Sequence, residues 1–250
     1  MRLFVSLSFD GGRYSGWQIQ KNADSVQSEL EKALSIAFGE QISVTGAGRT
    51  DAGVNATDYI AHFDLSDSNS KNPRELIYKI NAILPRYIHV KHFFSVSDDA
   101  HARFDAVSRT YKYYLHNVKD PFARFSYYYK FPLNIAAMNL AAESLIGTKD
   151  FSSFEKLRGG NKTSICTVTE ACWTQSDESH FVYTVSANRF LRNMVRAMVG
   201  TLLEVGRGKM KPSEIASLLE EKDRCKAGQS VWGEALFLTQ IQYPYPLISL

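Results

Sequence analysis

Residues 2–9, RLFVSLSF, alternate in a β-rich pattern, the period-two signature of a strand. Val26, Leu30, Leu34 and Phe38 then recur every four residues, which predicts an amphipathic helix. Asp24 or Ser25 caps it, with Gln27 placed to close a capping box on Asp24, and Gly39 stops it. Residues 41–46 read as a short strand running into the glycine-rich loop GAGRTDAGV. Beyond the loop Tyr59, Ala61, Phe63 and Leu65 alternate with Asp58, His62 and Asp64, which predicts another strand. Asn72-Pro73 opens a helix to about Leu84, with Pro at its first position and Glu75 in its first turn. A strand over 88–96 completes the order β-α-β-β-α-β, a ferredoxin-like arrangement.

The second half repeats that order of elements without repeating the sequence. A strand over 107–118 precedes a helix capped by Asn134 and ended by Gly147. Strands near 164–175 and 180–187 follow, then a helix from about 189 to 205, a short helix from Pro212, and a last strand over 235–243. The expected architecture is α+β: two ferredoxin-like or RRM-like lobes, residues 1–105 and 106–250, with mainly antiparallel sheets around a central cleft.

Composition narrows the class. With 250 residues and 44% hydrophobic, the chain suffices for one large core or two modest ones, and low-complexity or collagen-like readings drop out. Nothing approaches ~20 consecutive apolar residues, so no membrane span is expected. Ser6, Ser8 and Asp10 break the opening apolar run and no small-residue cleavage site follows, so a strand fits better than a leader. Three cysteines without a CxxC pair point to a reducing cytoplasm. The six histidines form no zinc-type pair, and His89 and His92 are expected on opposite faces of their strand; no metal is expected.

Gly46–Val54 is the sharpest local feature. It lacks the Gly-Lys-Ser/Thr of a P-loop, and its glycine spacing and following strand do not suit a dinucleotide site. What remains is one arginine and one carboxylate, Arg49 and Asp51, on a turn that lets backbone approach a ligand. Read from spacing alone, Asp51 is a turn former bonding local backbone. A second carboxylate suited to glycoside hydrolysis is not nearby, so the chemistry left to Asp51 is nucleophilic or electrostatic.

The loop resembles the GRTDAGVHA motif of the tRNA pseudouridine synthase A family. FDGGRYSGWQIQ followed by VQSELEKAL, ARFDAVSRTYKYYL, and NRFLRNMVRAMVGTLLEVGRGK resemble its other motifs, in the same order, across residues 3 to about 243. Two departures stand out: Asn55 where the family commonly has His, and AGQSVWGEALFL where it has a more Pro-rich stretch. The resemblance implies isomerisation of uridine to pseudouridine at positions 38, 39 and 40 of the tRNA anticodon stem-loop. It implies no metal, cofactor or energy source, and generally a homodimer. It places the catalytic aspartate on Asp51, the active-site tyrosine on Tyr111 and the aspartate-pairing arginine on Arg196. Leu236 would supply an apolar wall, and Arg49 would fill the space of an everted base. Whether Asp51 attacks the sugar C1′, attacks the uracil C6 or removes a ribose proton stays open.

Net charge is only +3, from 29 Lys+Arg and 26 Asp+Glu, yet the basic residues are uneven. Between Asn188 and Pro212, six of them, Arg189, Arg192, Arg196, Arg207, Lys209 and Lys211, face the single acid Glu204. If that stretch is helical, Arg189, Arg192 and Arg196 share one stripe with Gly200, and Arg189 and Arg192 become candidates for the RNA backbone. Arg13, Tyr14, Trp17, Gln18 and Lys21 form a second basic-aromatic cluster, though Trp17 suits a core equally. Two alternatives remain: a non-catalytic RNA-binding protein with RRM-like halves, for which YKYYL is only a loose aromatic signature, and an Asp-dependent nucleoside or glycoside hydrolase.

Overall fold

The computed structural model describes residues 1–66, 69, 71–156 and 162–250. The chain begins β1 (Arg2–Phe9), α1 (Val26–Phe38), β2 (Thr45–Gly46), β3 (Asn55–Asp64), α2 (Pro73–Ile83) and β4 (Ile88–Ser95). It continues β5 (Ser108–His116), β6 (Tyr127–Tyr128), α3 (Ile135–Glu143), β7 (Gly147–Asp150), β8 (Ile165–Gln175) and β9 (His180–Ala187). Then come α4 (Met194–Gly206), α5 (Glu214–Glu221), β10 (Leu236–Gln242) and β11 (Ile248–Ser249). The fold is α+β with mostly antiparallel strand pairing. Its chain divides into two compact units, Met1–Val107 with Leu238–Leu250, and Ser108–Phe237. The last thirteen residues, expected with the second lobe, therefore group with the first unit.

In the first unit β1 lies between β3 and β4, antiparallel to both, β2 adds to β3, and β11 adds to β4. The helix ends follow the sequence. Ser25 caps α1, its hydroxyl accepting from the Ser28 N–H, and Gly39 closes it at φ 77; Asn72 caps α2, with Pro73 at its start. The predicted stripe Val26, Leu30, Leu34 and Phe38 is buried. Gln27 closes no capping box; its amide donates to Glu31 and to the Val44 carbonyl.

On β3, His62 is 6% exposed because residues 100–105 cover its face: its Nδ1 accepts the Ala102 N–H at 3.1 Å, and its ring lies 4.6 Å from that of His101. One expectation fails on β4. His89 and His92 do not take opposite faces. The pairing jumps from Ser6↔His92 to Leu7↔Val90, a bulge that skips Lys91, so both histidines are exposed while Val90 and Phe93 are buried. The C-terminal segment returns to the same region, where the Tyr243 hydroxyl donates to the Ala102 carbonyl and that of Tyr245 to Asp105.

In the second unit the strand order is β5-β9-β8-β7, antiparallel throughout, with β6 parallel beside β5. Tyr113, Tyr183 and Trp173 sit opposite one another across β5, β9 and β8 and are buried. Asn134 caps α3, whose end comes before Gly147; Gly147 instead opens β7 at φ 105. The helix expected from residue 189 starts only at Met194. Asn188 exchanges hydrogen bonds with Thr167 at the end of β9, and Asn193 adopts φ 67, which α-helical backbone does not allow.

Candidate active site

The Asp51 loop is held from below by aromatic packing and from the side by the N-terminal turn. Tyr59 on β3 stacks on Trp17 with ring centroids 4.2 Å apart, and Phe9 meets Tyr59 edge-on at 5.5 Å. The Tyr59 hydroxyl donates to the Gly48 carbonyl, and the Ala47 N–H donates to the Ile60 carbonyl at 2.9 Å. These contacts fix the rising limb of the loop. At its tip, the Val54 N–H closes a turn on the Asp51 carbonyl at 3.2 Å, with Gly53 at φ 80.

Backbone runs unusually close to this turn. A Cβ on Gly11 would fall 2.0 Å from the Val54 carbonyl oxygen, and one on Gly16 would fall 2.3 Å from that of Thr50. The Gly11 N–H donates to Asn55 Oδ1 at 2.8 Å, and the Gly53 N–H reaches the Tyr14 carbonyl at 3.4 Å. Asn55 is thus a buried tie between the first strand's turn and the Asp51 loop, which gives that departure from the family motif a structural role. Trp17 and Tyr14 belong to this packing, whereas Arg13 is exposed, its guanidinium 5.2 Å from the centre of the Tyr87 ring. The turn presents Asp51 half-buried and Arg49 exposed, in the first unit.

The second unit carries the other candidates. Tyr111 on β5 is half-buried, with Phe190 braced edge-on against its ring at 5.1 Å. Arg196, half-buried in the first turn of α4, donates from Nε to the Val231 carbonyl at 2.6 Å. Burial drives the Tyr113 phenol far above its usual range, Tyr127 adding to the shift while the Arg196 guanidinium works against it. The positive charge of Arg196 therefore reaches Tyr113 on β5. Leu236, at the start of β10, is 4% exposed.

Arg189 and Arg192 do not continue the helical stripe of Arg196, because both precede α4. They lie on the turn between β9 and α4. Arg189 Nη1 donates to the Thr163 carbonyl at 3.2 Å; Arg192 is exposed, and its carbonyl accepts the Lys156 N–H at 3.0 Å. All three cysteines are free thiols, and among the described residues no group of three or more His, Cys, Asp or Glu is placed to hold a metal ion. Among the described residues no helix is long and apolar enough to cross a membrane.

Sequence reasoning missed the residues that hold the site. Alternation places Tyr59 on a strand but carries no information about where its hydroxyl bonds. Gly11 and Gly16 stand in a motif whose purpose is visible only once Val54 and Thr50 are seen against them.

A family model described as tRNA pseudouridine synthase matches residues 141–244. Two relatives named tRNA pseudouridine synthase A align over nearly the whole chain. That of Bacteroides fragilis is 49% identical, covering 97% of this chain and 96% of its own. That of Bacillus subtilis is 39% identical, covering 97% and 99%.

Proposed function

Because the chain belongs to the tRNA pseudouridine synthase A family and is an isomerase of uridine in tRNA, we propose that Asp51 is the carboxylate on which its turnover depends. The reaction breaks the bond from N1 to C1′, turns the uracil and joins C5 to C1′, while C5 loses a proton and N1 gains one. Atoms and oxidation state balance without a second reactant, so a single carboxylate can begin and end the cycle. Attack at C1′, attack at C6 and removal of a ribose proton all require Asp51 ionised and fixed in direction.

The observation that carries this reading is the turn itself. Two glycines, Gly11 and Gly16, and the buried Asn55 amide hold its backbone at van der Waals limits, far more constraint than a solvent-facing Asp/Gly turn needs. In the proposed site Arg196 pairs with Asp51 and so opposes the cost of burying a carboxylate. Tyr111 stacks on the everted uracil, and its phenol assists loss of the C5 proton; the edge-on Phe190 ring suits a tyrosine that must hold its plane. Leu236 walls the base. Arg49, exposed at the loop, occupies the position the base vacates, and eversion costs a few kcal/mol. Exclusion of water matters because a detached uracil would otherwise leave an abasic site.

The substrate region proposed is the anticodon stem-loop at positions 38, 39 and 40, with Arg189 and Arg192 on its phosphates. Each of the two units is proposed to be a ferredoxin-like variant. For the first, the strand order β4-β1-β3-β2 supports this. A homodimer is proposed on the family resemblance, and a cytoplasmic setting on the free thiols.

Incubation with unmodified tRNA and assay for pseudouridine tests the reading. Asp51→Ala should abolish product, by roughly 10³-fold or more, while tRNA binding persists. Product at the wild-type rate from Asp51→Ala would remove the aspartate from the mechanism. Free uracil would point instead to hydrolysis.

A further inference from the structure

One face of α4 is covered by a strap of backbone, residues 227–231, that lies in the segment departing from the family pattern. Asn193, Arg196, Gly200 and Thr201 follow one another along that face at helical spacing. At Gly200 the strap comes so close that a Cβ would stand 1.8 Å from the Gln229 carbonyl oxygen, and a Cβ on Gly228 would stand 2.7 Å from Gly200 backbone. The Gly228 N–H donates to Thr201 Oγ1 at 2.9 Å. At the other end the strap and the arginine exchange hydrogen bonds: the Val231 N–H donates to the Arg196 carbonyl at 3.2 Å, and Arg196 Nε donates to the Val231 carbonyl at 2.6 Å.

The strap is itself tied down by two side chains. Arg224 Nη1 donates to the carbonyls of Ala227 at 3.3 Å and Gly228 at 3.1 Å, and its Nη2 donates to Ser230 Oγ at 2.9 Å. Ser230 Oγ also accepts from Asn193 Nδ2 at 2.6 Å, joining the strap to the residue that starts α4. Asp223 sets up this arrangement by capping the 3-10 turn Arg224–Lys226.

We propose that Arg224 and Ser230 are positioning residues for the isomerisation: by fixing the strap, they make the Val231 carbonyl a rigid acceptor that orients the Arg196 guanidinium through Nε. A guanidinium is planar, so one short bond at Nε to an immobile oxygen sets the plane of the whole fork and the direction of its terminal nitrogens. Turnover is sensitive to such aim, since a misplacement of about 1 Å can cost up to about 100-fold in rate. Neither Arg224 nor Ser230 touches the reacting atoms in this scheme. The inference rests on the reading that Arg196 acts in turnover.

Kinetics of Ser230→Ala, Ser230→Thr, Arg224→Lys and Arg196→Ala on unmodified tRNA, alone and in combination, test it, with single-turnover assays for the slow proteins. Ser230→Ala should lower kcat roughly 10-fold while KM for tRNA stays within about twofold. Ser230→Thr keeps the hydroxyl and should recover most of that loss; Arg224→Lys, which cannot span both carbonyls and the hydroxyl, should not. In an Arg196→Ala background, Ser230→Ala should cost nothing further. An equal loss from Ser230→Ala in both backgrounds overturns the strap as a device acting through Arg196. So does full kcat in Ser230→Ala and Arg224→Lys proteins that are merely less heat-stable, provided Arg196→Ala is slow. Wild-type turnover by Arg196→Ala instead refutes the role of the arginine, and the strap's part in catalysis falls with it.

Discussion

His62 shows how one side chain ties folding to pH in the unit that carries Asp51. Burial, with Arg2 and His101 adding to it, pushes its pKa down to about 4. The Ala102 N–H points at Nδ1, so that nitrogen must keep its lone pair and the ring is neutral in the folded protein. In the unfolded chain the imidazole takes up a proton below its ordinary value near 6.5, so unfolding binds protons that the native state refuses. The sign follows: stability is complete above about pH 6.5 and falls as pH drops toward 4, by roughly 3 kcal/mol across the window. His62→Asn should flatten this acid limb in urea titrations run from pH 7 to pH 4. An identical limb in the variant would show that another group, such as His116, is responsible.

At the scale of elements, the Asp51 turn depends on backbone contacts with the turn after β1. Gly16 combines φ 103 with a neighbouring Thr50 carbonyl only 2.3 Å from where a Cβ would sit. Gly16→Ala should therefore destabilise by about 2–4 kcal/mol through strain and overpacking. It should also lower turnover beyond the loss of folded protein, because the displaced carbonyl is the one preceding Asp51. Gly48→Ala, where a Cβ would meet nothing within 4 Å, serves as the stability control and should melt within a degree or two of wild type. Equal melting of the two variants would mean that the loop yields without cost.

The same elements show what a sequence can carry. Ser25, the four-residue stripe of α1 and Gly39 mark that helix completely, because capping and burial are local or periodic properties. So are Asn72-Pro73 at α2 and Asn134 at α3. The start of α4 was not legible: Leu, Met and Val keep their helical spacing through residue 191, and only the left-handed Asn193 reveals the break. β2, β6 and β11 span two residues each, too few for any period. The Asp51 loop announced itself through its composition, whereas the strap did not, since a carbonyl held against Arg196 leaves no trace in residue types.

For the molecule as a whole, the question is how a chain of net charge +3 grips a polyanion. The sum is small because acids elsewhere offset a local excess, so binding must draw on particular arginines rather than on overall charge. The turn from β9 to α4 is suited to that task. Asn188 anchors it to Thr167 through backbone and side chain, Arg189 reaches back to the Thr163 carbonyl, and the exposed Arg192 is held through its own carbonyl by the Lys156 N–H. A phosphate contact made there releases roughly 0.9 of a counterion, which appears as slope in log K against log salt. Arg192→Ala should weaken every tRNA to a similar degree and flatten that slope by about 1, leaving kcat at saturating tRNA unchanged. Arg189→Ala should do the same and also free the Thr163 end of the turn, so its effect on affinity should be the larger. A slope unchanged in both variants would move the RNA path off this turn, and a fall in kcat with the slope intact would assign the two arginines to the chemistry instead.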